Sequence, residues 1–260
     1  MKINRSDLSA AFPWMADPRV AARLSTLSRV DARVDKKAEV VDVYLYDVIV
    51  TPEIEALFGV GISAQGFREQ LKQADGARRV NVHINSPGGD VDQGKAMLSG
   101  LRSLRAGEKV AVVEGLAASA ATVVAMGADR VVMEPEAVFM IHEASGGMWG
   151  SAADHEKFAE ILRMDNAAVR ALYAKKTGLD DGRIAELMAA QEPGGTVPGT
   201  YMDAARAREL GFADEVLAPP TKEAAAAFRA TASVATPNQI AVKLAFARSR
   251  QQHPPADRRG

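Results

Sequence analysis

One serine stands among small residues in Gly115-Leu116-Ala117-Ala118-Ser119-Ala120-Ala121. A glycine-rich turn precedes it, Ile84-Asn85-Ser86-Pro87-Gly88-Gly89-Asp90, and Phe139-Met140-Ile141-His142-Glu143 follows. A hydroxyl is a weak nucleophile until a base takes its proton, and the oxyanion formed by its attack needs fixed donors. The serine, the glycine turn and the histidine offer a candidate for each role, in the order serine then histidine. These are the parts of a serine hydrolase.

Each part also has a plainer explanation. Ser119 falls where a buried strand hands over to a helix, and a helix N-terminus favours developing negative charge. Ala117, Ala118, Ala120 and Ala121 leave room for a substrate backbone, yet the same run reads as a packed small-residue helix with Ser119 as filler. It is not the Gly-x-Ser-x-Gly elbow. Gly88 and Gly89 make a turn of the kind Pro-Gly pairs usually make. With the Ala120 N–H they could equally supply oxyanion donors. His142 ends an apolar strand, and His83, on another strand before the glycine turn, is the competing base. His155 opens a charged helix and His253 lies near the C-terminus, so both read as surface residues. Composition alone does not choose among the four.

Strands and helices alternate through the chain to position these groups. Residues 1–37 read as an N-terminal appendage with a short helix over 18–28. A strand is expected over 40–46 from its β-branched and aromatic content. Ser63 can cap a helix carrying Phe67, Leu71 and Ala74 on one face. Alternation marks a strand over 80–84. The Pro-Gly-Gly turn opens a helix with Met97, Leu98, Leu101 and Leu104 at helical spacing. Further strands are expected over 110–113, 130–133 and 138–141. A long helix over 152–176 ends at Thr177-Gly178, and another spans 181–190. Asp203 can cap a short helix to Leu210, ahead of a last strand over 213–217. This order indicates an α/β fold with βαβ crossovers, in a domain over 38–218. Residues 219–260 are Ala-rich and carry excess positive charge; they read as a mobile basic tail with a helix over 240–249.

Composition removes other classes. A net charge of −1 over 260 residues leaves no global basic field for nucleic acid. Cysteine is absent, which excludes disulfides, cysteine nucleophiles and thiolate metal sites. The histidines are scattered without a His-Glu-x-x-His pattern, so no metal or other cofactor is expected. The first ten residues lack an apolar signal core, and no apolar run approaches the roughly 20 residues of a membrane span. The expected location is therefore cytoplasmic, with no membrane contact.

Four segments together resemble the Clp-type serine peptidases, the ClpP family. They are Ile84 through Val91, Gly115 through Ala121, Met140-Ile141-His142, and Ala204-Ala205-Arg206-Ala207-Arg208-Glu209-Leu210-Gly211-Phe212-Ala213-Asp214-Glu215-Val216. They occur in family order, and the look is most similar to the head maturation (prohead) proteases of tailed phages and prophages. The resemblance implies a ClpP/crotonase-like spiral of repeated ββα units with a protruding handle helix, here from about Ala152. It implies Ser119 as nucleophile, His142 as general base, and Gly88, Gly89 and Ala120 as oxyanion donors. It further implies a homo-oligomeric ring and a protein substrate, a capsid or scaffold precursor.

One departure stands out. The family's third triad residue is an acid just before the aromatic residue that precedes the late helix. Here the aromatic is Tyr201 and the matching position is Gly199, which has no side chain. If residues 193–199 loop out, Glu192 takes the acid's place. Asp203 is the second candidate, though better explained as a helix cap; a Ser–His dyad is the third reading. Three other functions remain open. One is a signal-peptide-peptidase-like Ser–Lys enzyme using Lys175 or Lys176. Another is a crotonase-like acyl-CoA enzyme, and the last is a catalytically degenerate ring subunit with an assembly role.

Overall fold

Valine alternating with polar residues builds the first parallel strands. In the computed structural model, which describes residues 33–35, 39–191 and 198–218, strand β2 spans Val40–Tyr46 after a short β1 at Arg33–Asp35. Its Val41, Val43 and Leu45 are buried, while Asp42, Tyr44 and Tyr46 take the other face. Strand β3, Arg79–Ser86, repeats the pattern with Val80, Val82 and Ile84 inward. This is the period of two of a sheet with one face in the core. All elements belong to the unit Met1–Leu217.

Helices cover the inward face. Helix α1 is Pro52–Phe58 and α2 is Ala64–Lys72. The Ser63 side chain caps α2 by accepting from the Gly66 N–H at 3.1 Å, and Phe67 and Leu71 are its buried stripe. Helix α3, Val91–Ser103, is capped by Asp90 and buries Gly94, Met97 and Leu101. Sequence periodicity missed α1, because none of its side chains is buried and no apolar stripe is needed.

Strand β4 runs over Glu108–Ala118, seven residues longer than the expected 110–113. Its first half pairs with β5, Arg130–Met133, and its last residues pair with β6, Val138–Ile141. The β3–β4 register slips between Ile84 and Ser86, where four residues of β4 match two of β3. Such a bulge bends a strand and re-aims its end. Helix α4, Ala120–Ala125, follows with every residue buried. The sheet order is β1-β2-β3-β4-β5-β8, with β8 at Glu215–Val216. Strand β7, Thr200–Asp203, pairs antiparallel with β6 and leads into α7, Ala204–Glu209.

Helix α5 is Ala152–Thr177, opened by a Ser151–Asp154 capping box and closed by Gly178 at φ 77°. Its buried residues are Asn166, Val169 and Tyr173, so none of residues 152–165 is fully buried. Helix α6 is Asp181–Ala189. The expected helices over 18–28 and 240–249 lie outside the described residues. The expected strand over 213–217 shrinks to two residues, because Phe212 and Ala213 are buried in the turn instead. No helix among the described residues is long and apolar enough to cross a membrane.

Candidate active site

Ser119 is the hinge between β4 and α4. Its backbone adopts φ 54°, ψ −127°, a conformation that costs a non-glycine residue of the order of 1–3 kcal/mol. The sharp turn presents the hydroxyl at the end of the strand rather than in the core. Ser119 N–H still donates to the Met140 carbonyl at 2.9 Å, continuing the β4–β6 ladder. Its own carbonyl accepts from the Thr122 N–H at 3.0 Å and from the Thr122 hydroxyl at 2.5 Å.

The register of that ladder brings in the histidine. Ala118 lies opposite Met140, so both chains leave the sheet at the same end. His142 Nε2 and Ser119 Oγ are 2.7 Å apart, across 23 residues of sequence. Burial of the half-exposed ring lowers the His142 pKa below its ordinary 6.5. The imidazole is therefore neutral at pH 7, with Nε2 free to accept the hydroxyl proton. Protonation removes that acceptor, so kcat/KM for a peptide substrate should rise with pH through an inflection below 6.5. A pH profile of kcat/KM checks this; an inflection above 6.5 contradicts it.

The two glycines divide their work. Gly88 has φ 88°, and a Cβ there would lie 2.7 Å from Ser119 Cβ. Its N–H donates to Ser86 Oγ at 3.1 Å, and that hydroxyl donates to the Asp47 carbonyl. Gly88 is thus engaged, and the expectation of an oxyanion donor there does not fit this geometry. Gly89 differs. Ile49 pairs with it through the Gly88 carbonyl, at 2.7 Å, and the Asp90 N–H, at 2.9 Å. In parallel pairing this leaves the Gly89 N–H facing away from Ile49. The Ala120 N–H, in the first turn of α4, has no intrahelical acceptor.

A cavity of about 360 Å³ opens over these groups, lined by Gly89, Ser119 and His142 with Val91, Leu116, Met140 and Tyr201. Of the four alanines expected to make room for substrate, Ala118 alone lines it; Ala117, Ala120 and Ala121 are core. Their small size serves packing, since a Cβ on Gly94 of α3 would meet Ala120 Cβ at 3.1 Å. Among the described residues the lining includes no lysine. Lys175 and Lys176 line a different cavity, and Lys176 is held by Asp214 at 2.5 Å, which removes the Ser–Lys arrangement. His83, the competing base, has Nδ1 2.8 Å from Glu114 and Nε2 3.2 Å from Asp42, with Tyr44 stacked on its ring. Both of its nitrogens are occupied.

Among the described residues no acid hydrogen-bonds to His142, and His142 Nδ1 makes no hydrogen bond. Gly199 has φ 142°, and a Cβ on it would lie 2.5 Å from the Ile141 carbonyl and 2.7 Å from His142 Cβ. The Ile141 carbonyl and the His142 and Met140 side chains fill the space a side chain at 199 would need. Gly199 N–H donates to the Ala190 carbonyl at 2.7 Å, so the chain returns at residue 199 to where it left at 190–191. Glu192 lies outside the described residues. Asp203 pairs with Val138, three residues down the β6–β7 ladder from Ile141, which is about 10 Å at the usual strand rise. Its carboxylate accepts from the Arg206 N–H at 2.8 Å, so the capping role is the observed one. Asp203→Ala should cost about 1 kcal/mol of stability and leave kcat unchanged. Thermal melts beside steady-state kinetics test this, and a large fall in kcat would return Asp203 to the site.

Sequence reasoning missed Asn166, whose buried Oδ1 accepts from the Ala144 N–H at 2.7 Å and ties α5 to the segment just past His142. It also missed Thr122 and Tyr173 behind the nucleophile. Neither carries a local signal; each matters through a partner far away in sequence.

Comparison with known proteins bears on the family and the fold. The Clp protease family profile matches residues 61–220. The chain is 29% identical over 149 residues to the ATP-dependent Clp protease proteolytic subunit 1 of Shouchella clausii, covering 56% of this chain and 72% of the relative. It is 29% identical over 118 residues to the corresponding subunit 2 of Treponema denticola, covering 45% and 58%. Among solved structures, a point mutant of ClpP1 from Listeria monocytogenes shares the fold. The TM-score is 0.53 at 20% identity, over 68% of this chain and 91% of that one. The expected ClpP-like α/β fold is therefore the observed one. With the profile spanning more than half its length, the chain belongs to the Clp protease family of serine endopeptidases.

Proposed function

We propose that this chain cleaves peptide bonds through an acyl-enzyme formed on Ser119. The observation that carries the reading is the 2.7 Å contact of Ser119 Oγ with a neutral, half-buried His142, at a strained turn. The hydroxyl attacks the substrate carbonyl while its proton passes to His142 Nε2. The Gly89 and Ala120 N–H groups hold the resulting oxyanion. His142 then returns the proton to the leaving amine, and water, activated by the same nitrogen, releases the acyl group. The test is intact-mass measurement after treatment with a fluorophosphonate, followed by peptide mapping. A single adduct on the Ser119 peptide supports the reading; an unmodified Ser119 in folded protein refutes it.

The surface of α5 supports assembly into a homo-oligomeric ring. None of residues 152–165 is fully buried, and Ile161 and Met164 are exposed, with Trp149 fully exposed just before them. The finer reading of substrate, a capsid or scaffold precursor cleaved during phage head assembly, rests on the motif resemblance to head maturation proteases. Incubation with a capsid precursor from the same genome, without an ATPase, tests it by the appearance of discrete fragments. Gly199 favours one second reading, an assembled subunit that does not hydrolyse peptides. A chain that elutes as a ring and takes no fluorophosphonate would support it.

A further inference from the structure

Behind the nucleophile runs a buried chain of hydroxyls. Tyr173 Oη, on α5, lies 2.6 Å from Thr122 Oγ1, on α4. Thr122 Oγ1 lies 2.5 Å from the Ser119 carbonyl oxygen. Both side chains are buried, Tyr173 at 1% and Thr122 at 0% exposure. The donors follow from the end of the chain. A carbonyl oxygen only accepts, so the Thr122 hydroxyl donates to Ser119. Its oxygen is then left to accept, so the Tyr173 hydroxyl donates to Thr122. Burial pushes the Tyr173 phenol pKa far up, which keeps it a donor.

This chain ends on the one peptide unit whose conformation matters most. Ser119 has φ 54°, a region that side-chain-bearing residues rarely adopt unless neighbours hold them there. Two donors from Thr122, its N–H and its hydroxyl, converge on the Ser119 carbonyl. Fixing that carbonyl fixes ψ of Ser119, and with it the direction of Oγ toward His142. Tyr173 in turn fixes the rotamer of Thr122.

We infer that Thr122 and Tyr173 are positioning residues for the nucleophile, locking the Ser119 backbone so that its hydroxyl meets His142. The inference rests on the reading of Ser119 as nucleophile. Neither residue lines the cavity, so substrate binding does not depend on them. Misplacing a reacting group by about 1 Å costs on the order of 100-fold.

The experiment uses Thr122→Val, which keeps the shape and removes the hydroxyl, beside Thr122→Ser and Tyr173→Phe, all on the full chain. Fluorophosphonate labelling of Thr122→Val should slow by about 10- to 100-fold, with kcat for a peptide falling and KM unchanged. Thr122→Ser, which restores the hydroxyl, should label close to the wild-type rate; Tyr173→Phe should slow by less than Thr122→Val. A merely structural role would lower the melting temperature of Thr122→Val without this kcat effect, and that result overturns the inference. Crystal structures of the variants give a readout independent of activity. Loss of the Ser119–His142 contact in Thr122→Val supports the inference. An unchanged Ser119 φ, ψ and 2.7 Å contact overturns it. That comparison decides the matter even if the wild type takes no label, which would count against the nucleophile assignment instead. Should Thr122→Val fail to fold, Tyr173→Phe carries the same two readouts.

Discussion

Ser119→Ala is expected to lower kcat for peptide hydrolysis by about 10⁶-fold, and His142→Ala by a similar factor. The reason is that the two side chains act as one device. Without Oγ there is no acyl-enzyme, and without Nε2 the hydroxyl keeps its proton and remains a poor nucleophile. The 2.7 Å contact and the neutral imidazole are the structural basis for that coupling. The double variant should therefore be no worse than either single one, since each already removes the whole device. Steady-state kinetics of the three variants measure this. Additive losses, or a His142→Ala enzyme near wild-type activity, would mean that another group activates Ser119. His83→Gln is the matching control. Both His83 nitrogens face carboxylates, so its replacement should alter stability without approaching these kinetic losses.

Gly89→Ala has the next largest expected effect, about 10²- to 10³-fold in kcat, the usual cost of one oxyanion donor. A methyl group there would lie 2.0 Å from the Ile49 carbonyl oxygen, and φ of 141° is hostile to any side chain. The conflict is with backbone, so no rotamer change relieves it. The turn must move, and the Gly89 N–H moves with it. The same shift breaks the two hydrogen bonds tying the turn to Ile49, so the melting temperature should fall as well. Kinetics at matched folded fraction separate the two effects. Wild-type kcat in folded Gly89→Ala would remove the donor role from this residue. Gly88→Ala makes an informative neighbour. Its N–H is held by Ser86, but its methyl would lie 2.7 Å from Ser119 Cβ and 2.8 Å from the Ala120 nitrogen, so it should disturb the nucleophile and the Ala120 donor together.

Much of this architecture was legible from local pattern. β-Branched and aromatic content gave β2 at its observed bounds, and Ser63, Asp180 and Asp203 are side-chain caps in keeping with the expected helix starts. The long helix expected over 152–176 ends one residue later, at the left-handed Gly178. These features depend on residues within a few positions of each other. Helix α1 and strand β7 were not legible. The first buries no side chain, and the second is a four-residue strand defined by its pairing with the distant β6.

The site was legible as a set of parts and not as an arrangement. The sequence by itself determined a serine at a strand-to-helix junction, a Pro-Gly-Gly turn, a strand-end histidine and the bare Gly199. Only the tertiary structure decided how they work together. The β4–β6 register brings His142 to Ser119, while pairing of β2, β3 and β4 leaves His83 between Asp42 and Glu114. The bridge to Ile49 separates a free Gly89 N–H from an engaged Gly88 N–H. Tyr173 reaches Thr122 across 51 residues because α5 packs behind α4. Local periodicity records which face of a strand or helix is buried. Strand register and the contacts it creates are set by pairing and packing between distant segments, and no window of sequence contains both partners.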